Sequence, residues 1–245
     1  MNLMPDFIWQ SKITLAKRRR NYGRKQVNII DIDAHPPLDE KKRTEFTKAL
    51  AALGIRTALG APQTEGLTAR ECNRRAMADF NCRSLWGHPD CADMLESASL
   101  ITVDAPWMAD AGEVLAIAEN RRIPVLLQNE TAEQIRALAE THPALTLIAG
   151  GFSPRPIMPA PMAELMSVHP RLFLNLSGLI WHGNYIMHEW IKKLPTDRIL
   201  FGTAYPFGNP ASKLAGLRWE LRDTDSSVID GIFGGNASRL YTEVR

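Results

Sequence analysis

The sequence predicts an α/β fold, a single-domain (β/α)8 TIM barrel. Three observations lead there. From Val27 onward the apolar period switches repeatedly between a strand-like two and a helix-like 3.6. Eight strand–helix units follow one another, and eight units in about 220 residues is the count and size of such a barrel. The strands are short and apolar on both faces, as buried parallel strands are, and the connections are as short as βα and αβ loops. The 245 residues are 45% apolar and 23% charged, which supplies one large core and excludes a disordered chain.

The first strand is VNIIDIDA (27–34), stopped by His35-Pro36-Pro37. A helix over 41–54 follows, with Phe46, Leu50 and Leu53 at helical spacing and Gly54 as its stop. RTALGA (56–61) is the second strand. Thr68 and Glu71 form a capping box ahead of a helix over 69–80. RSLWGH (83–88), a short helix over 91–98, SLITVDAP (99–106) and a helix over 109–121 come next. IPVLLQN (123–129) precedes a helix over 132–141 capped by Thr131, and LTLIAGG (145–151) precedes a helix over 160–168. LFLNLSG (172–178), a helix over 184–193 and RILFGTAYP (198–206) complete the strands, and helical segments over 210–221 and 226–241 close the chain. The runner-up, an open doubly wound sheet, wants a glycine-rich turn after the first strand. That turn here holds His35, Pro36 and Pro37 instead.

Charge divides the chain into a basic N-terminal arm, 1–26, and a barrel, 27–245. The arm holds seven lysines and arginines against Asp6 alone, whereas the body is mildly acidic. No apolar segment follows the arginines, so the arm does not read as a signal peptide. It is the only candidate for nucleic-acid contact, and such contact is not expected because nothing in the body repeats the pattern. No run of about 18 apolar residues offers a membrane span. Cys72, Cys82 and Cys91 lack metal-type spacing and fit a reducing cytoplasm. Self-association into a homo-oligomer is left open.

A barrel carries its active site at the C-terminal ends of the strands. The polar strand-end residues are Asp31, Asp33, His35, His88, Asp104, Gln128, Asn129, Glu130, Asn175, Ser177, Thr203 and Tyr205, with His182 in the loop beyond the seventh strand. His142 and His169 end helices and fall on the opposite face, and His188 lies within a helix. Trp107, Trp181, Tyr205 and Phe207 sit just past strand ends, either as an apolar rim for a ligand or as a cover for the barrel. Ser177 lacks a nucleophile-elbow context and reads as structural.

IIDIDAHPPL (29–38), EFTKALAALGIRTALGAP (45–62), ECNRRAMADF (71–80), IPVLLQNE (123–130), HPALTLIAGGF (142–152), LFLNLSG (172–178), RILFGTAYPF (198–207) and IFGGNASRLY (232–241) together resemble the amidohydrolase-related family, the amidohydrolase 2 branch of that superfamily, in the same order. The resemblance spans about nine-tenths of the chain from residue 27 and implies a TIM barrel hydrolysing carbon–nitrogen or carbon–oxygen bonds of small molecules, with lactonases and decarboxylases among its members. It also implies a divalent metal held by two first-strand histidines, a histidine on strand five, often one on strand six, and a strand-eight aspartate that shuttles protons.

This chain departs from that set. The first-strand pair reads Asp33-x-His35, strand five carries Gln128, strand six offers Ala149 or Gly150, and strand eight carries Ala204. One histidine and one carboxylate fall short of the usual three protein ligands of zinc, so no metal ligand and no cofactor is expected. Three readings follow. The first is a barrel that has lost catalysis and binds a small molecule at its mouth through Gln128, Asn129, Trp107, His182 and Tyr205. The second is metal-independent hydrolysis, lactonase or decarboxylase chemistry, with His35 as acid/base partnered by Asp33 and Asp104. The third is a relocated zinc or manganese site using Asp33, His35 and His88 or His182.

Overall fold

The computed structural model describes residues 28–150, 159–178 and 186–243. The arm, Trp181 and His182 lie outside them. Eight parallel strands run in chain order: β1 (Ile29–Asp31), β2 (Ile55–Ala58), β3 (Ser84–Trp86), β4 (Leu100–Asp104), β5 (Val125–Gln128), β6 (Leu147–Ala149), β7 (Leu172–Asn175) and β8 (Ile199–Leu200). Between and after them lie α1 (Glu40–Ala52), α2 (Ala69–Phe80), α3 (Gly112–Arg121), α4 (Ala132–Thr141), α5 (Pro159–Val168), α6 (Ile186–Lys193), α7 (Pro210–Glu220), α8 (Ser226–Asp230) and α9 (Asn236–Glu243).

The local signals act as expected at several ends. Thr68 with Glu71 and Thr131 with Gln134 both form complete capping boxes. Gly54 ends α1 with φ 80°, a left-handed conformation open to glycine. Two helices differ. The segment expected as a helix over 91–98 is a 3-10 run, Pro89–Ser97, begun by the His88 side chain accepting from the Asp90 amide. The segment 109–121 breaks into a 3-10 run, Ala105–Asp110, followed by α3. Pro89 and Pro106 sit in the first turns of these runs, where a missing N–H costs little.

Strands β3 to β8 form one continuous parallel ladder, and β1 pairs with β2. The β1 segment also reaches β8: the Ile32 amide donates to the Phe201 carbonyl at 3.1 Å, the His35 amide to the Tyr205 carbonyl at 2.9 Å, and Ala34 bridges Tyr205. Between β2 and β3 the described residues show no ladder. On that side of β3, the Asn73 amide of α2 takes the place of a neighbouring strand. Its Oδ1 accepts from the Trp86 amide and its Nδ2 donates to the Trp86 carbonyl, both at 2.9 Å. The Trp86 indole then donates to the Pro62 carbonyl at 2.7 Å, tying β3 to the segment after β2.

Three apolar clusters hold the barrel, the smallest joining Leu38, Ala61, Cys72 and Ala76 to Trp86. Ile30, Ile32, Leu100, Leu126, Ile148 and Leu200 form one cluster together with Ala237 and Leu240 of α9. The largest cluster joins strands to helices through residues such as Leu85, Val103, Leu127, Leu174 and Phe201 against Phe46, Val114, Ile135, Leu165, Trp190 and Leu217. No helix among the described residues is long and apolar enough to cross a membrane.

Because Asn73 satisfies two buried backbone groups of β3, Asn73→Ala is expected to cost about 2–6 kcal/mol, each orphaned group costing about 1–3. Urea unfolding measures this. Loss of the exposed cap in Thr131→Ala is the comparison, at about 1 kcal/mol.

Candidate functional site

The site is built around Asp33, which is fully buried just past the end of β1. Four donors converge on its carboxylate. His35 Nε2 lies 3.1 Å and Gln128 Nε2 3.3 Å from Oδ1. Asn175 Nδ2 donates to Oδ2 at 3.1 Å, and the Ser177 hydroxyl donates to the same oxygen. A carboxylate has about four acceptor positions, so Asp33 is saturated by side chains of β5, β7 and its own segment. Asn175 also donates to Ser177 Oγ at 2.7 Å and accepts from the Ser177 amide at 3.1 Å, locking the turn at the end of β7. Gly202 on the β8 side makes room for this: a Cβ there would collide with Asn175 Oδ1 and approach Asp33 Cβ to 3.0 Å.

His35 is held on every side. Its Nδ1 lies 2.6 Å from the Ala61 carbonyl, which can only accept, so Nδ1 carries a proton. Its ring stacks on Trp86 with centroids 5.6 Å apart. Burial pushes the imidazole towards neutrality, but the hydrogen bond and charge of Asp33, with the Ala61 carbonyl, outweigh it and raise its pKa. Burial likewise pushes Asp33 up, while the hydrogen bond and charge of His35 and the donors Ser177 and Asn175 hold it below the usual carboxylate range. The pair is a buried imidazolium–carboxylate. The Gln128 amide also lies 3.1 Å from His35 Nε2. It can donate to Asp33 while His35 is charged, and to Nε2 whenever that nitrogen loses its proton.

Asp31 sits beneath this pair as a second buried carboxylate. It accepts from the Asp33 amide at 3.1 Å, the Thr203 amide at 3.0 Å and the Thr203 hydroxyl at 2.6 Å. Burial pushes it up to about 6, against the lowering effect of Thr203. The balancing cation is one the sequence reasoning missed. Lys213 of α7 is buried, and its ammonium donates to the Ser177 carbonyl. Burial pushes it down to about 8, opposed by the charges of Asp33 and Asp31. Nothing in its sequence context marks it, because helical spacing alone gives a lysine in α7 a surface reading.

The remaining strand-end residues form a second group. Asn129, at φ 60°, donates to Asp104 Oδ1 at 2.7 Å. Asp104 is half-buried at the start of the 3-10 run. Trp107 meets Trp86 edge-on at 5.6 Å and His88 edge-on at 5.1 Å. Tyr205 turns its ring onto Phe46 of α1 at 4.8 Å and contributes its backbone to the β1 segment. Asp33, His35 and Gln128 are therefore brought together, Asp104 pairs with Asn129, and Tyr205 faces a helix. Glu130, one residue past Asn129, is buried, with Oε1 accepting from the Gly150 amide at 2.6 Å. On the opposite face, His142 ends α4 and lies 3.2 Å from Glu119.

The metal of the resembling family does not fit these residues. Both nitrogens of His35 and both oxygens of Asp33 are engaged by protein, Gln128 presents an amide N–H2 towards them, and Ala149 and Ala204 offer no donor atom. His88 uses Nδ1 to cap its 3-10 run. Among the described residues, no three His, Cys, Asp or Glu side chains gather as a metal cage.

Fold and site together define a parallel α/β barrel with a polar cluster at the strand C-terminal ends. The family profile described as amidohydrolase matches residues 85–242, and the chain belongs to that family, the amidohydrolase 2 branch. Among solved structures, an uncharacterised TIM-barrel protein from Bordetella bronchiseptica superposes with TM-score 0.63 at 17% identity, covering 89% of this chain and 99% of that one. The 2,6-dihydroxybenzoate decarboxylase from Rhizobium gives 0.60 at 16%, covering 88% and 99%. A putative amidohydrolase from Staphylococcus aureus gives 0.60 at 12%, also covering 88% and 99%. At these identities the likeness is one of fold. No curated protein matches the sequence.

Glu130 gives the site a pH signature. Burial pushes its carboxyl up to about 7, with Asp33 and Asp104 adding in the same direction. A carboxyl raised on folding stabilises at low pH, and that stability is lost as pH rises from about 4.5 through about 7. Glu130→Gln is therefore expected to match wild type near pH 4 and to exceed it by on the order of 3 kcal/mol at pH 8, read from denaturation midpoints across pH. A gap that does not widen with pH would contradict this.

Proposed function

We propose that this barrel binds a small molecule at its mouth without the family's metal and does not carry out metal-dependent hydrolysis. The observation that carries this reading is the Gln128 amide, 3.1 Å from His35 Nε2 and 3.3 Å from Asp33 Oδ1. It stands against the two donor residues that remain from the family's ligand set, and Ala204 supplies neither a ligand nor a proton carrier. A metal-bound water, whose lowered pKa makes the family's nucleophile, has too few ligands behind it here.

Acid–base chemistry on His35 is the competing reading. It requires a proton site open to substrate. His35 is 3% exposed, with Nδ1 on a carbonyl and Nε2 on Asp33. Asp104, its expected second partner, is engaged with Asn129. The buried network favours a binding role over turnover, and a small molecule would meet its outer edge, where Asp104, Asn129 and Trp107 are.

The test is elemental analysis of the purified full chain, combined with assays on small amides, lactones and aromatic carboxylates. The expected outcome is sub-stoichiometric zinc and manganese and no turnover above buffer. Turnover abolished by His35→Ala in a folded variant would replace this reading with the acid–base one. Stoichiometric metal would replace it with a metal enzyme.

A further inference from the structure

Glu130 is a buried strand-end carboxylate that takes no part in the Asp33 network among the described residues. It is 2% exposed, and its carboxyl spans the ends of β5 and β6: Oε1 accepts from the Gly150 amide at 2.6 Å, while Oε2 is buried and has no hydrogen-bond partner among the described residues. A buried polar atom without a partner costs about 1–3 kcal/mol, more when charged, and asks for a missing donor. A second orphan lies on the neighbouring strand. Thr102 Oγ1 is buried and without a hydrogen-bond partner among the described residues, two residues before Asp104 on β4.

The missing donor has a preferred charge. Two negative charges act on Glu130: Asp33, itself paired with His35, and Asp104. A ligand carboxylate would add a further negative charge, and a neutral hydroxyl would leave the repulsion as it is. A protonated amine supplies several N–H donors and a positive charge to a partly desolvated acidic position. Past the end of the neighbouring β4 an aromatic side chain suits such a group. Trp107 is half-buried between the Trp86 ring and His88, and aromatic faces attract ammonium ions.

We propose that the ends of β4, β5 and β6 form a subsite for the ammonium group of a small amine, with Glu130 Oε2 as its buried acceptor, Asp104 as its outer counter-charge and Trp107 as its aromatic wall. This rests on the reading of the mouth as a metal-free binding site. It narrows the ligand class to compounds carrying an amine next to an apolar or aromatic body.

The experiment uses the full chain and three probes of one shape: benzylamine, benzyl alcohol and benzoate. Binding is measured by calorimetry and by thermal shift, on preparations whose metal content is known. Benzylamine is expected to bind and raise the melting temperature, with the other two at least about tenfold weaker. Glu130→Gln is expected to weaken benzylamine at least about tenfold, and Asp104→Asn, a variant of a half-exposed residue that retains the fold, several-fold. The proposal is overturned by benzoate or benzyl alcohol binding as well as benzylamine. It is also overturned by unchanged benzylamine affinity in both variants, or by no benzylamine binding to metal-free protein. Stoichiometric metal in the preparation would overturn the metal-free reading beneath it and is recognised separately.

Discussion

Four hydrogen bonds to one buried carboxylate organise the mouth of this barrel. Asp33 cannot be left partly solvated in a site that is 0% exposed, because a buried charge with missing partners is far more costly than a buried apolar group. His35, Gln128, Asn175 and the Ser177 hydroxyl satisfy it, and they come from three places around the barrel end: the segment after β1, β5 and the end of β7. To deliver them, β5 must end with its amide turned inward, β7 must fold into the Asn175–Ser177 turn, and the β8 segment must carry Gly202 where any side chain would collide with Asn175. The network thus couples strands that are distant in sequence.

Charge balance explains the wider arrangement. Asp31 and Asp33 place two carboxylates in the interior, and a related barrel with a divalent ion would neutralise them from the mouth. Here the opposing charges are His35 above and the ammonium of Lys213 from α7. Burial acts against all four groups, so each is held only by its partners. The outer pair, half-buried Asp104 with exposed Asn129, lies at the solvent edge. Glu130 lies between these regimes, buried like Asp33 but with only one of its oxygens satisfied.

Much of the fold was legible in the sequence because its signals are local. Alternating periods placed eight strands, and Thr68, Thr131 and Gly54 marked helix ends through chemistry contained within a few residues. The 3-10 runs were not legible, since apolar spacing does not distinguish them from short α-helices. At the site, Asp33, His35 and Gln128 were found because strand ends in a barrel converge. Ser177 reads as structural in the sequence, and the structure shows what it holds: it donates directly to Asp33, a contact 144 residues apart in sequence that no local pattern encodes. Lys213 was invisible for the same reason: its role depends on how α7 packs over the end of β7. Asn73 entered only through a resemblance, and the structure supplies its physical reason, an amide standing where a strand neighbour would be.

We propose that the side chains at the strand ends, above all the Gln128 amide and Ala204, close a hydrogen-bond network where the family's metal would sit. Zinc titration by calorimetry of the wild-type chain beside a double variant, Gln128→His with Ala204→Asp, tests it most directly. The account predicts no stoichiometric zinc uptake by wild type and a newly gained tight site in the double variant, which restores donors on strands five and eight beside Asp33 and His35. Tight one-to-one zinc binding by the wild-type chain would contradict it.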